Sequence, residues 1–240
     1  MKAMLLRVGI DKGIKKGGGA LAPIFDDGSF EYIPIPEKDP NSHEIRTYHN
    51  IVGRCGLPFS SFIPEKLKNK IPHYDPEFET FTYGDPTFKR KSLLKLNEGD
   101  LLAFYAGLTP LDTRKYRKGL YFIGYFLIER ILDLNMLSQF DLLNYRRLYH
   151  NNAHFKRNYL NDVVIAVGSK QGSKLLEKAI PISKEKLAKN GVPYHAVSSE
   201  MEDVLGISGS IQRSMPRFIR DEKNVDNLRK VLGILKEDLF

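Results

Sequence analysis

Leu120-Tyr121-Phe122-Ile123-Gly124-Tyr125-Phe126-Leu127-Ile128-Glu129-Arg130-Ile131 decides the fold of this 240-residue chain. No polar residue alternates with the apolar ones before Glu129, so a half-exposed strand would leave a row of aromatic side chains in water. A buried central strand fits the run instead. Asp100-Leu101-Leu102-Ala103-Phe104-Tyr105-Ala106 has the same character and supplies a second central strand. Arg114, Lys115, Arg117 and Lys118 make the connector between them a solvated loop. Gly124, inside the strand, marks a bulge or a close approach of another chain segment, and either one helps to curve a sheet.

Outward from this pair, residues 1–10 read as a first strand that ends at Asp11 and the glycines at 13, 17, 18 and 19. Residues 20–25 and 29–35 flank Asp26-Asp27-Gly28, a turn sequence that predicts a hairpin. Prolines gather between 34 and 86, and the segment 34–98 reads as largely irregular, with one short helix at 64–70. A helix is expected over 138–150, with Phe140, Leu143, Arg147 and Leu148 spaced around it, and a buried strand over 162–167. Ser183 as cap and Asn190-Gly191 as stop predict a short helix at 183–190. Residues 221–239 place Val225, Leu228, Leu232, Leu235 and Leu239 on one face of a terminal helix. The sum is a single α+β domain: a mixed, curved, mainly antiparallel sheet or partly open barrel, with peripheral helices and a C-terminal helix.

Apolar residues make up 42% and charged residues 28% of the chain, enough hydrophobicity to drive folding without a partner. The net charge of +8 points to polyanionic partners, nucleotides or nucleic acid, or else to the ion-pair networks of a heat-adapted protein. Cys55 is the lone cysteine, which fits a reducing compartment and a cytoplasmic location. No apolar run approaches the roughly 18 residues of a membrane helix, so no membrane partner is expected.

Pro72-His73-Tyr74-Asp75-Pro76 is the sharpest local feature for chemistry. The flanking prolines favour extended backbone, and in an extended chain residues two apart share a side. His73 and Asp75 therefore present an imidazole and a carboxylate together, able to act as acid and base, to orient one another or to ligate a metal; the same residues beside proline also serve as plain turn residues. Arg7 and Asp11 flank the end of the first strand, as a ligand-binding pair or as a surface ion pair. Arg146-Arg147-Leu148-Tyr149-His150 continues through His154, Lys156, Arg157 and Tyr159, a basic run interleaved with aromatics that suits phosphate contact and base stacking, or else an exposed helix end. Arg213, Arg217 and Arg220 sit in a Ser/Gly-rich stretch at 208–220 that reads as an anion-clamping loop. The chain lacks a thiolate metal site, a His-Glu-x-x-His helix, a phosphate-loop signature and a nucleophile elbow, so no metal centre is assigned and no cofactor is named.

Taken in order, several of these pieces resemble the nucleotide modification associated domain 3 family. Its members open with Arg-x-Gly-Phe-Asp, matched by Arg7-Val8-Gly9-Ile10-Asp11, with isoleucine in place of the phenylalanine. Glycines follow at 17–19, then Pro23-Ile24-Phe25-Asp26-Asp27-Gly28 and Ile33-Pro34-Ile35-Pro36. The family's His-x-Asp-Pro appears as His73-Tyr74-Asp75-Pro76, its Gly-Asp-Leu strand as Gly99-Asp100-Leu101, and a later strand as Asn161-Asp162-Val163-Val164-Ile165-Ala166. The likeness runs from about residue 2 to about 220. It implies a setting in nucleotide or DNA-base modification, and one polar site made of Arg7, Asp11, His73 and Asp75.

Two functions follow from different classes. In the first, the chain processes a nucleotide or nucleic-acid base, with His73 as acid/base, Asp75 and Asp11 as orienting or metal-binding carboxylates, and Arg7 on phosphate, supported by Arg146, Arg147, His154, Arg213 and Arg217. In the second, the strands at 99–105 and 119–124 resemble the paired strands of PUA-like barrels, which imply a module that binds a modified base or RNA without reacting. Convergence of the four polar residues on one pocket favours the first; dispersal, with a basic aromatic pocket between the central strands, favours the second.

Overall fold

The run at 120–131 is the spine of the molecule, as part of a fifteen-residue strand. A computed structural model describes residues 1–10, 22–213 and 215–234. In chain order the first strands are β1 (Ala3–Arg7), β2 (Ala22–Ile24), β3 (Ile35–Pro36), β4 (Pro72–His73) and β5 (Thr82–Asp85), followed by helix α1 (Arg90–Leu93). The central strands are β6 (Leu101–Pro110) and β7 (Gly119–Asp133), after which come α2 (Gln139–Leu148), β8 (Val164–Gly168) and β9 (Lys174–Pro181). The chain ends with β10 (Ser183–Leu187), β11 (Pro193–Val197), α3 (Ser199–Leu205), β12 (Arg217–Ile219) and α4 (Glu222–Leu232).

Eight strands among the described residues form one sheet in the order β12-β1-β6-β7-β8-β5, with β2 also on β6 and β9 also on β7. The pairs β1–β6 and β2–β6 are parallel and the rest are antiparallel. The sheet is mixed, mostly antiparallel and unclosed, so the open alternative to a barrel is the one adopted. β10–β11 and β3–β4 stand apart as two-stranded ribbons.

Both readings of Gly124 hold. The β6–β7 register shifts between Phe104 and Tyr105, opposite Gly124, and the β7–β9 register shifts between Phe122 and Gly124. A methyl group on Gly124 would lie 2.7 Å from the Lys174 carbonyl oxygen and 2.7 Å from the Phe78 ring. The residues around it are the heart of the core: Phe104 and Phe126 are fully buried and meet edge to face, centroids 4.7 Å apart, with Phe78 edged against both.

The predicted turn forms, with the Phe25 N–H donating to the Ser29 carbonyl at 2.8 Å, but its arms share little ladder because β2 pairs with β6 instead. The 64–70 helix is a single 3-10 turn at Glu65–Leu67 after Pro64. Ser138 caps α2 through the Asp141 N–H, and Asp221 caps α4, which buries Val225, Leu228 and Leu232; Leu235 and Leu239 lie outside the described residues. The helix expected at 183–190 is instead β10, the first arm of a hairpin. The Ser183 hydroxyl accepts from the Leu120 N–H at 2.8 Å rather than capping a helix, and Gly191, at φ 76°, closes the turn between β10 and β11. A serine cap and an Asn-Gly stop fit a hairpin as well as a helix, and five registered pairs from Ser183–Val197 to Leu187–Pro193 decide for the hairpin. No helix among the described residues is long and apolar enough to cross a membrane.

Because Gly124 has no room for a side chain, Gly124→Val should lower stability by about 1–3 kcal/mol. Urea unfolding checks this, and a change within about 0.5 kcal/mol would contradict the close approach.

Candidate active site

β4 pairs antiparallel with β3, Pro72 opposite Pro36 and His73 opposite Ile35, and the Glu37 N–H donates to the Ile71 carbonyl at 2.8 Å. This short ribbon brings the Glu37 carboxylate to His73, whose Nδ1 lies 2.7 Å from Oε2. A carboxylate accepts only, and at 2.7 Å it outweighs the Arg157 Nη2 donor 3.3 Å from the same nitrogen, so the His73 proton sits on Nδ1 and the lone pair on Nε2. Two residues on, Asp75 shares that side of the chain, as the extended backbone requires, with Oδ2 3.8 Å from His73 Nε2.

The other carboxylate oxygen of Asp75 is fully engaged. Its Oδ1 accepts from the Gly84 N–H at 2.8 Å, on β5, and from the Asn152 side-chain amide at 3.2 Å. The same Asn152 amide donates to Thr82 Oγ1 at 3.0 Å, and its oxygen accepts from the His154 backbone N–H at 2.9 Å. His154 is thereby delivered to the centre, with Nε2 3.4 Å from Asp75 Oδ2 and its ring edge-on to His73, centroids 4.8 Å apart. Gly84 is glycine for a reason of space, since a methyl group there would overlap the His154 ring. His73, Asp75 and His154 are all buried, and the Nδ1 of His154 is buried with no hydrogen-bond partner.

An outer layer holds this centre. Arg157 grips Glu37 with two bonds, from Nε to Oε2 at 3.3 Å and from Nη2 to Oε1. Arg146 reaches back from α2 to the carbonyl oxygens of Phe155 and Arg157, fixing the 150–157 loop. Glu44 ties the same loop down through Lys156 at 2.6 Å and Arg46 at 2.7 Å, and Arg46 also donates to Asn151. Burial by itself would raise the Glu37 carboxyl, but the bonds from His73 and Arg157 outweigh it and hold the group well below the usual carboxylate range. Burial pushes His73 down, against the pull of Glu37. Those directions agree on a neutral imidazole beside a carboxylate whose charge Arg157 balances.

The centre opens on a cavity of about 940 Å³. Arg7, His73, Asp75, Tyr83, His154 and Arg157 line it, with Lys38, Lys89 and the exposed ring of Phe88. Of the residues singled out from the sequence, the structure therefore brings together Arg7, His73, Asp75 and His154. Asp11 lies outside the described residues. Arg146 spends its guanidinium on the two backbone carbonyls, and Arg147 is exposed on α2. Arg213 and Arg217 do not line the cavity; Arg213 is exposed, and Arg217 sits on β12 with its guanidinium on the carbonyls of Ser208 and Ser210. Sequence reasoning missed Glu37, Gly84, Asn152 and the anchoring role of Arg157, whose partners are far away along the chain.

The model of the nucleotide modification associated domain 3 family matches residues 2–210, and the chain belongs to that family. The matched span contains Arg7, His73, Asp75 and His154 and ends before Arg213 and Arg217. No curated protein and no solved structure matches.

The anchoring of the 150–157 loop has a pH signature. Hydrogen bonds from Arg46 and Lys156 overcome the effect of burial and bring the Glu44 carboxyl down to about 2 from an ordinary 4.5. A depressed carboxyl stabilises the fold fully above its unfolded pKa, and that contribution is lost as the pH falls towards 2, a loss on the order of 3 kcal/mol. Glu44→Gln should be less stable than the parent near neutral pH, with the gap closing in acid. Urea midpoints across the range check it, and a gap that stays constant into acid contradicts it.

Proposed function

We propose that this member of the nucleotide modification associated domain 3 family takes a nucleotide or a nucleic-acid base into the 940 Å³ cavity and acts on it at the His73–Asp75–His154 centre. The observation that carries the reading is the convergence on one cavity of two buried imidazoles, a buried carboxylate and Arg7, drawn from three separate parts of the chain. Burying such groups is costly, and a cluster of them lining a cleft marks a candidate functional site. The cavity falls within the roughly 300–1,000 Å³ of small-molecule sites. Arg7, Lys38 and Lys89 suit phosphate, and Phe88 at the rim offers a stacking face. His73 turns its unprotonated Nε2 to Asp75 in the centre that borders the cavity, and Asp75 and His154 complete a polar set suited to acid–base work. The net charge of +8 favours approach of a polyanion.

The rival, a non-reacting PUA-like module, needs room for a base among the aromatics of the central strands. Those rings fill each other's space: Phe104, Phe122 and Phe126 are fully buried. The open volume lies beside the histidines instead.

Calorimetric titration with a panel of 5′-mononucleotides and short single-stranded DNA and RNA, followed by mass spectrometry of the products, tests the proposal. At least one nucleotide should bind and change in mass. Arg7→Ala should weaken binding roughly tenfold to a hundredfold, the scale of a charge-assisted hydrogen bond. His73→Ala and the isosteric Asp75→Asn should abolish turnover while affinity stays within about threefold, equivalent to well under 1 kcal/mol. A chain that binds no nucleotide or nucleic acid, or an Asp75→Asn variant with undiminished turnover, sinks the reading.

A further inference from the structure

We infer that His73, Asp75 and His154 hold a first-row divalent metal ion, bound by His73 Nε2, Asp75 Oδ2 and an imidazole nitrogen of His154. One ligand atom from each of the three lies within 4.8 Å of the others. The spacing argues for an ion rather than for mutual hydrogen bonding. A self-contained polar cluster would close Asp75 Oδ2 onto an imidazole N–H at about 2.7–3.2 Å. Here the two approaches are 3.8 Å from His73 and 3.4 Å from His154, too long for good hydrogen bonds. Ligands at about 2.0–2.1 Å from a common ion stand roughly 3.0–3.4 Å from one another, so the three ligand atoms, now within 4.8 Å of each other, draw together around the ion.

The outer partners point the same way. Ligating imidazoles commonly donate their second N–H to a carboxylate, and ligating carboxylates are themselves hydrogen-bonded. Glu37 accepts from His73 Nδ1, and Gly84 with Asn152 saturates Asp75 Oδ1, so in both residues the remaining donor atom is the one turned to the centre. Arg157 balances the charge of Glu37, and the Asp75 carboxylate faces the centre. His154 departs from this pattern: its Nε2 faces Asp75 Oδ2, and its Nδ1, the nitrogen away from that contact, is buried with no hydrogen-bond partner among the described residues.

Two imidazoles and one carboxylate suit Zn²⁺, Co²⁺, Fe²⁺ or Mn²⁺ better than Mg²⁺ or Ca²⁺, which favour oxygen. Three protein ligands leave coordination positions open, and all three residues line the cavity. With the ion in place His73 serves as a ligand, and open positions on the metal face whatever occupies the cavity. The inference uses the same site as the proposed function but does not require its nucleotide.

The test uses the full chain stripped by chelator, titrated with Co²⁺ by visible absorption and with Zn²⁺ by calorimetry. One ion per chain is expected, with Co²⁺ bands that report nitrogen and oxygen ligation. Asp75→Asn keeps the shape of the side chain and its outer hydrogen bonds, and it should lower affinity at least about a hundredfold; His154→Gln, as a second variant, should do the same. Glu37→Gln, acting only through His73, should lower affinity roughly 10–100-fold. No ion bound, or equal affinity in the parent, Asp75→Asn and His154→Gln, overturns the inference. Ion binding without nucleotide binding upholds it and removes only the nucleotide reading; nucleotide binding without an ion removes it alone.

Discussion

Asp75 is the joint of the site: one carboxylate oxygen is tied down by the Gly84 N–H and the Asn152 amide, and the other is left facing two imidazoles. A buried carboxylate is tolerable only when hydrogen bonds replace the water it has lost. Here those bonds come from β5 on one side and the 150–157 loop on the other, so the bonds that make burial affordable also fix three chain segments against one another. Asn152 extends the effect, because it orients the His154 backbone while it holds Asp75.

The sheet supplies the rigidity on which this joint depends. β5 is the edge strand beside β8, and β8 in turn pairs with the far half of β7. The near half of β7 pairs with β6 and β9, with its bulge at Gly124. A single long strand thus links the aromatic core to the edge that presents Gly84. Arg7 comes to the same cavity from the end of β1, on the opposite side of β6.

Features with local physical causes were legible in the sequence. Uninterrupted apolar runs foretold β6, β7 and β8, and Gly124 carried its own sign of crowding. The two-residue spacing between prolines placed His73 and Asp75 on one side without any knowledge of the fold. His154 was visible only as part of a basic run, because its place beside Asp75 depends on a loop that returns from the other end of the sheet. Glu37 was silent for the same reason, and Arg157, named in that run, gave no sign of its grip on Glu37. At 183–190 the local signals were ambiguous in kind, since a serine followed by a later Asn-Gly suits a helix and a hairpin alike, and pairing with β11 decided between them. The run from Arg146 to Tyr159 read equally as a surface for phosphate and bases or as an exposed helix end, yet Arg146, Lys156 and Arg157 are spent on carbonyls and carboxylates of the protein itself.

Outer partners aim the reactive atoms of His73 and Asp75 at one point. Long-range ¹H–¹⁵N correlation spectra of the imidazole nitrogens, recorded near neutral pH on the metal-free chain, test this arrangement most directly. His73 should be the neutral tautomer with its proton on Nδ1 and an unprotonated Nε2, and Glu37→Gln should disturb this pattern. A His73 protonated on Nε2, or one whose spectrum is indifferent to Glu37, would contradict it.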